Sequence, residues 1–213
     1  MTDVERDKFS SRRDALRDEI RGMAGEIERL FRLAMEGLGC FRAGDLRQVI
    51  DKVKAVESET DRLTASLFTL SEGRSDADAS DIRLCIGVVS ELKLISGCIE
   101  DFCESAAARI KEGLLFSDAA FKEIEDLHVA VASILRDAVQ AMGEGKRGSL
   151  PQVEEKGSAV EAVIKKIGAE HERRLMSGVC DIKSSAVFLD ILDSLGGIAD
   201  HAVALSRTCS AAR

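Results

Sequence analysis

Apolar residues return along this chain at the spacing of α-helices. In the first segment they alternate between steps of four and three residues, which is the stripe of a helix packed against partners. That stripe comprises Leu16, Ile20, Met23, Ile27, Leu30 and Ala34. A second stripe runs through Val49, Val53, Val56, Thr60, Leu63, Leu67 and Leu70. The break between the two helices is expected at Gly44 and Asp45.

A third helix is predicted after a polar turn at residues 72–75. Asp78 or Ser80 is a suitable N-terminal cap, because a short polar side chain can accept a hydrogen bond from a free backbone N–H. The apolar positions in or beside its stripe are Ile82, Val89, Leu92, Ile99, Phe102, Ala106 and Ile110. Gly113 is expected to end this helix.

The second half of the chain repeats this plan with three more helices. Ser117 can cap the fourth, and Pro151 fits the first turn of the fifth, where its missing N–H costs nothing. A linker is predicted at residues 143–149, and Gly178 precedes a sixth helix from about Ser184 to Thr208. The apolar stripe of the fourth helix comprises Ile124, Leu127, Val131, Ile134 and Ala138. That of the fifth comprises Val153, Val160, Ile164, Ile167 and Leu175, and that of the sixth comprises Leu189, Leu192, Leu195, Ala199, Ala202 and Leu205.

The third and sixth helices also align residue by residue. Glu91, Gly97, Ile99 and Asp101 have the spacing of Asp190, Gly196, Ile198 and Asp200. On the second and fifth helices the match is weaker, and Glu57 and Asp61 fall opposite Gly157 and Glu161. We therefore predict an elongated all-α protein of six helices, with two three-helix repeats at residues 1–115 and 116–213 stacked along one bundle.

Composition agrees with an all-α chain and narrows its partners. Aromatic residues make up 4%, Trp and Tyr are absent, and there is one proline. The formal net charge of −8 argues against nucleic acid, which normally requires a basic patch. No run approaches the ~20 apolar residues of a membrane span, and the N-terminus lacks a secretory pattern, so we expect a cytoplasmic protein without direct membrane insertion.

The reactive residue types suggest no enzyme. The six cysteines are scattered without a C-x-x-C pair, and we expect buried, reduced thiols. The chain has three histidines, His128, His171 and His201, and neither a glycine-rich phosphate loop nor a G-x-S-x-G motif. We therefore predict a non-catalytic protein.

Residues 178–202 resemble the last helix of PhoU-type domains, which typically reads D-L-x-x-x-L-E-R-I-A-D-H. The likeness is closest to the PhoU-like tails of sodium/phosphate cotransporters, whose H-x-x-R-L segment resembles His171, Arg174 and Leu175. Glu57 and Asp61 resemble the family's E-x-x-x-D element. The resemblance implies two three-helix bundles and a regulator of phosphate transport and phosphate-dependent signalling, which binds a membrane phosphate transporter or a sensor kinase. The resemblance does not decide whether the protein forms a homodimer.

Some members of that family bind iron or zinc through these acids. The resemblance therefore implies metal candidates at Glu57, Asp61, Asp101, Asp190, Asp193, Asp200 and His201. The chain departs from the family at Gly97 and Gly196, which stand where a glutamate would pair with Asp101 and Asp200. Both glycines are also expected to allow close helix approach. A carboxylate metal-binding protein with degenerate sites is the alternative function.

Overall fold

The chain folds into six α-helices. This computed structural model describes residues 3–72, 75–143 and 150–211. The helices are α1 Asp3–Gly39, α2 Ala43–Ser71, α3 Asp76–Glu112, α4 Asp118–Ala141, α5 Leu150–Met176 and α6 Ile182–Ala211. The predicted all-α class and the six helices are confirmed. Residues 144–149 of the predicted linker and residues 73 and 74 of the predicted polar turn lie outside the described residues.

The helix ends follow capping chemistry, with two corrections to the sequence prediction. Ser117 caps α4 as predicted, since its Oγ accepts a hydrogen bond from the Ala120 N–H at 3.2 Å. The predicted cap of α3 is wrong: Ser75, not Asp78 or Ser80, accepts the bond, and α3 therefore begins at Asp76. The predicted break at Gly44 is also wrong, because the chain turns at residues 40–42 and Gly44 lies in the first turn of α2.

The predicted apolar stripes form the core almost everywhere. All six stripe residues of α1 are buried, and so are all five of α4. Leu189 of α6 is the clear exception, because its side chain is 40% exposed while Phe188 is completely buried. α6 packs against α3, α4 and α5 together, so only a narrow face stays in solvent. Leu189 lies on that face with the exposed Asp190, Asp193 and Asp200.

The two three-helix units lie side by side. Helices α1, α2 and α3 contact one another, as do α4, α5 and α6, and the units meet through α3 with α6 and α1 with α4. A contact between Glu91 and His201 near the middle of the α3–α6 interface, and an ion pair between Glu112 and Lys183 at its end, show that α3 and α6 run antiparallel. The two units therefore share one interface, built mainly from the antiparallel pair of α3 and α6. The boundary at residues 115 and 116 stays a prediction.

A close contact of α3 with α6 involves equivalent residues of the two repeats. A Cβ built on Gly197 would lie 2.7 Å from the Cys98 Sγ atom, so a larger residue there requires the helices or the Cys98 side chain to shift. Gly97 aligns with Gly196, and one step further along each helix Cys98 aligns with Gly197. Two equivalent residues meet each other at a local two-fold axis. The antiparallel α3–α6 pair therefore relates the halves by an approximate two-fold rotation.

Candidate functional site

The predicted metal candidates of the first repeat are joined to a lysine. Asp61 accepts a hydrogen bond from the Lys93 Nζ atom at 2.6 Å. This bond, together with the charges of Asp61 and Glu57, raises the pKa of Lys93 above its ordinary value. The ammonium group of Lys93 therefore supplies a positive charge at the place where a metal ion would neutralise Glu57 and Asp61.

The candidates of the second repeat are divided between two open grooves. Asp190 and Asp193 line a groove of about 360 Å³ between α6 and α3, together with Asp101 of the first repeat. Asp193 and Asp200 also line a groove of about 400 Å³ between α5 and α6, where Glu161 is paired with Lys165. Asp193 lines both grooves, whereas Asp190 lines only the first and Asp200 only the second.

His201 of the second repeat contacts Glu91 of the first repeat. Its Nδ1 atom lies 2.9 Å from the Glu91 Oε2 atom of α3. Both side chains are partly buried, which shields the contact from solvent. The histidine therefore ties α6 to α3 instead of joining the aspartates beside it.

The two glycines at the family's glutamate positions test whether a metal cluster would fit. A Cβ on Gly196 would lie 3.2 Å from the Ile164 Cδ1 atom, so an apolar side chain fills the space that a glutamate would enter. Nothing lies within 4 Å of a Cβ on Gly97, which corrects the expectation of a close helix approach there. Within the described residues, no group of three or more His, Cys, Asp or Glu side chains has the arrangement to hold a metal ion. The residues present do not fit the implied cluster of iron or zinc.

Only part of the cysteine prediction is confirmed. Only Cys85 and Cys103 are buried, while Cys98, Cys180 and Cys209 are half-buried and Cys40 is exposed in the turn after α1. Burial raises the pKa of the Cys103 thiol to about 12. Cys98, in the α3–α6 groove, also has a raised pKa, from burial first and then from the charges of Asp101 and Asp200. Neither thiol is therefore an available thiolate ligand near neutral pH.

A surface of a different kind lies at one end of the molecule, where the α1–α2, α3–α4 and α5–α6 connections come together. We call this surface the loop end and define it by five exposed apolar side chains: Phe41, Leu115, Met176, Val179 and Ile182. The last four are between 71% and 81% exposed. Exposed apolar side chains gathered at one place mark an interaction surface, whereas single ones are ordinary.

Contacts between the connections hold the loop end together. The Phe116 ring, between α3 and α4, packs edge-on against the Phe188 ring of α6 with centroids 5.6 Å apart. Arg174 of α5 forms a two-pronged ion pair with Glu123 of α4, with contacts of 2.8 and 3.3 Å. The α3–α4 connection is therefore packed against α6, and α5 is tied to α4, at this end of the molecule.

Beneath the loop end lies a buried arginine without an ionic partner. Arg109 is 2% exposed, and its Nε and Nη1 atoms have no hydrogen-bond partner. Its guanidinium lies over the rings of Phe116 and Phe41, 4.4 and 4.6 Å from their centroids, and 5.7 Å from that of Phe121. Desolvation lowers the pKa of Arg109, and no nearby carboxylate offsets it. A buried cation held only by aromatic rings is unusual, because buried charges are normally paired.

The residue that covers Arg109 has an unfavourable backbone conformation. Helices α3 and α5 end in the same turn, in which the residue after the helix adopts a positive φ and the next N–H bonds to a carbonyl five residues back. Glycine has that positive φ in both turns, Gly113 at 65° and Gly178 at 72°. The turn after α1 has the same hydrogen bond, from Arg42 to Gly37, but Phe41 adopts the φ of 54°. Phe41 is the only non-glycine with a positive φ among the described residues.

The sequence analysis missed this arrangement. Arg109 reads as an ordinary basic residue in the last turn of α3, where cations favour the helix dipole. A partial signal was available, because Phe41 stands at a helix end where glycine is the usual residue and the chain has only eight phenylalanines. The pairing of that ring with Arg109 depends on the tertiary fold.

The fold is that of PhoU proteins. The structure of the phosphate transport system regulatory protein PhoU from Streptococcus pneumoniae superposes with a TM-score of 0.81 at 14% identity, covering 94% of this chain and 93% of that one. PhoU from Pseudomonas aeruginosa superposes with a TM-score of 0.83 at 19% identity, covering 94% of this chain and 96% of that one. No protein-family model matches the chain, and no curated protein sequence matches it. In the described part of the chain, each helix is too polar or too short in its apolar run to span a bilayer.

Proposed function

We propose that this protein is a non-catalytic member of the PhoU family that regulates phosphate transport and phosphate-dependent signalling. It acts in the cytoplasm by binding a membrane phosphate transporter or a sensor kinase. The shared fold supports this proposal, because the structural neighbours are PhoU proteins along nearly their whole length. The regulatory role is stated in the description of the S. pneumoniae protein.

The observation that carries the proposal is the loop end. Leu115, Met176 and Ile182 are each at least 79% exposed, although the rest of the chain buries its apolar stripes efficiently. The charges around them have both signs, including Lys183 and Arg173 beside Glu112 and Asp118. A nucleic acid or an acidic lipid surface would require a predominance of positive charge. An apolar centre with a mixed polar rim is the usual composition of a protein interface.

The proposed function is tested by disrupting the gene in the source organism and measuring uptake of radioactive phosphate. We expect disruption to alter the response of uptake to external phosphate, and the wild-type gene to restore it. A Leu115→Asp/Ile182→Asp variant should fail to restore it at equal protein abundance. The matched control is Phe68→Asp, because Phe68 is 56% exposed near the far end of α2.

Each part of the proposal has its own contradicting result. Unchanged phosphate uptake after disruption would contradict the regulatory role. Full restoration by the double variant would show that the loop end is not the docking surface. A photoreactive residue at position 115 should crosslink to a transporter subunit or a sensor kinase, and crosslinking only to a second copy would assign the surface to a homodimer instead.

A further inference from the structure

We propose that Arg109 is a recessed receptor for one carboxylate of the docking partner, and that the Phe41 ring covers it in the free protein. This inference rests on the proposed function, since it names the chemistry that the loop end recognises. The partner segment carries an aspartate or glutamate flanked by apolar side chains.

Among the described arginines that are buried or half-buried, Arg109 alone has no carboxylate partner. Arg17 is bonded to Asp81 across helices, and Arg174 is bonded to Glu123 at the loop end itself. These two arginines are more exposed than Arg109, which nevertheless is the one without a carboxylate. A buried guanidinium leaves unsatisfied donors that a carboxylate can satisfy with two parallel hydrogen bonds.

The surroundings select the kind of anion. Three phenylalanine rings lie around the guanidinium, and the loop end above it carries exposed apolar side chains. A free phosphate ion carries up to two charges and a tightly held water shell, which a single arginine among aromatic rings replaces poorly. A side-chain carboxylate carries one charge, and its chain brings apolar groups for Leu115 and Ile182. One uncompensated charge in an apolar surface therefore matches a protein segment with one acid.

The cover is the Phe41 ring. One side of the ring lies over Arg109, while the side chain as a whole is 56% exposed, so the ring separates the guanidinium from solvent. The backbone of Phe41 has the positive φ that its two counterparts, Gly113 and Gly178, adopt without a side chain. A bulky residue in that region is strained. Rotating the ring away about its side-chain bonds exposes Arg109 without changing the backbone, and it gives up one ring contact that a partner carboxylate replaces.

The test uses purified full-length protein and fluorine NMR with para-fluorobenzoate, a carboxylate on an apolar ring. The neutral comparison is para-fluorobenzyl alcohol, and inorganic phosphate is followed by phosphorus NMR. Phe41→Gly removes the cover while keeping the turn, because glycine favours the positive φ. We expect Phe41→Gly to bind fluorobenzoate about tenfold or more tightly than the wild type, and about tenfold more tightly than the alcohol. A Phe41→Gly/Arg109→Met double variant should lose this preference for the carboxylate.

Two further variants keep the test decisive. Phe68→Ala removes an equally exposed ring elsewhere and should leave fluorobenzoate binding at the wild-type level. If the Arg109→Met change prevents folding, Arg109→Lys replaces it in the double variant. Lysine keeps the charge without the planar fork, so it must still bind fluorobenzoate more weakly than Phe41→Gly alone.

Three results overturn the proposal. Equal binding of acid and alcohol would show an apolar pocket in which Arg109 has no part. Binding of inorganic phosphate without fluorobenzoate would show a site for a free ion. An unchanged affinity in Phe41→Gly would show that the ring is not a cover. Failure of the uptake experiment leaves these measurements untouched, so the receptor and the regulatory function are tested separately.

Discussion

The unpaired state of Arg109 has a measurable consequence for stability. Replacing Arg109 by methionine removes the charge but keeps an unbranched side chain that fills most of the same space. Arginine and methionine have similar helix propensities, so the change in α3 itself is small. We expect the Arg109→Met variant to be more stable than the wild type, which is opposite to the usual effect of a substitution at a completely buried position.

The magnitude follows from opposing contributions around the guanidinium. Two buried donors without partners, Nε and Nη1, cost about 2–6 kcal/mol in total. The two closer ring contacts, at 4.4 and 4.6 Å, return about 2–4 kcal/mol when desolvated. Loss of a cation from the last turn of α3 costs the variant about 0.5 kcal/mol more. At the midpoints of these ranges the net expectation is a gain of about 0.5 kcal/mol in the free energy of unfolding, or about 1–2 °C in Tm for a chain of this size.

The assay is urea unfolding followed by far-ultraviolet circular dichroism, because a chain without Trp or Tyr has no suitable intrinsic fluorescence. Arg174→Met is the matched control: Arg174 lies at the same end, but its ion pair with Glu123 is largely shielded from solvent. That variant leaves a partly buried carboxylate unpaired and should lose about 1–3 kcal/mol. If Arg109→Met destabilises the protein as much as Arg174→Met does, Arg109 is a structural residue and the reasoning about a vacant receptor is refuted.

Three other outcomes are expected. Gly197→Ala should destabilise the protein by about 1–3 kcal/mol in the same assay, because its Cβ would meet the Cys98 Sγ atom at 2.7 Å. Gly97→Ala should instead stabilise the protein by up to about 1 kcal/mol, because a Cβ at Gly97 has no neighbour within 4 Å. Equal effects of the Gly197→Ala and Gly97→Ala substitutions would contradict the two-fold packing. Burial lowers the pKa of His128 and of His171, so near pH 6.5 these histidines take up protons only in the unfolded chain. The free energy of unfolding should therefore fall as the pH drops below about 6.5. The His128→Leu variant should show a weaker dependence of this free energy on pH. Elemental mass spectrometry of the purified protein should find no stoichiometric iron or zinc, and a stoichiometric metal would show that the cluster tolerates both glycines.

Much of the fold could be predicted because helix burial is periodic in sequence. The stripes of α1 and α4 identify the core since each helix buries one face. The method fails at Leu189 because α6 is surrounded on three sides, and periodicity then no longer distinguishes the exposed residue from its buried neighbour. Ser75 was missed as a cap because several polar residues in succession satisfy the same rule.

The candidate site could not be predicted to the same degree. Sequence spacing places Glu57 and Asp61 on one helix face, but it does not show that Lys93 of the next helix reaches them. It also cannot show that Asp101 shares a groove with acids of the other repeat, because that depends on the antiparallel contact of α3 and α6. Contacts between helices decide which charges are neutralised, and these contacts are not local in sequence.

Arg109 and Phe41 are best understood together, because each is costly alone. A glycine at position 41 would relieve the backbone, as it does at 113 and 178, but would open Arg109 to water. A methionine at position 109 would remove the buried charge but leave Phe41 strained for no gain. A chain selected only for stability would change both residues, since each change lowers a separate cost. Their joint presence beneath the most exposed apolar surface therefore favours a role in recognition over a role in folding.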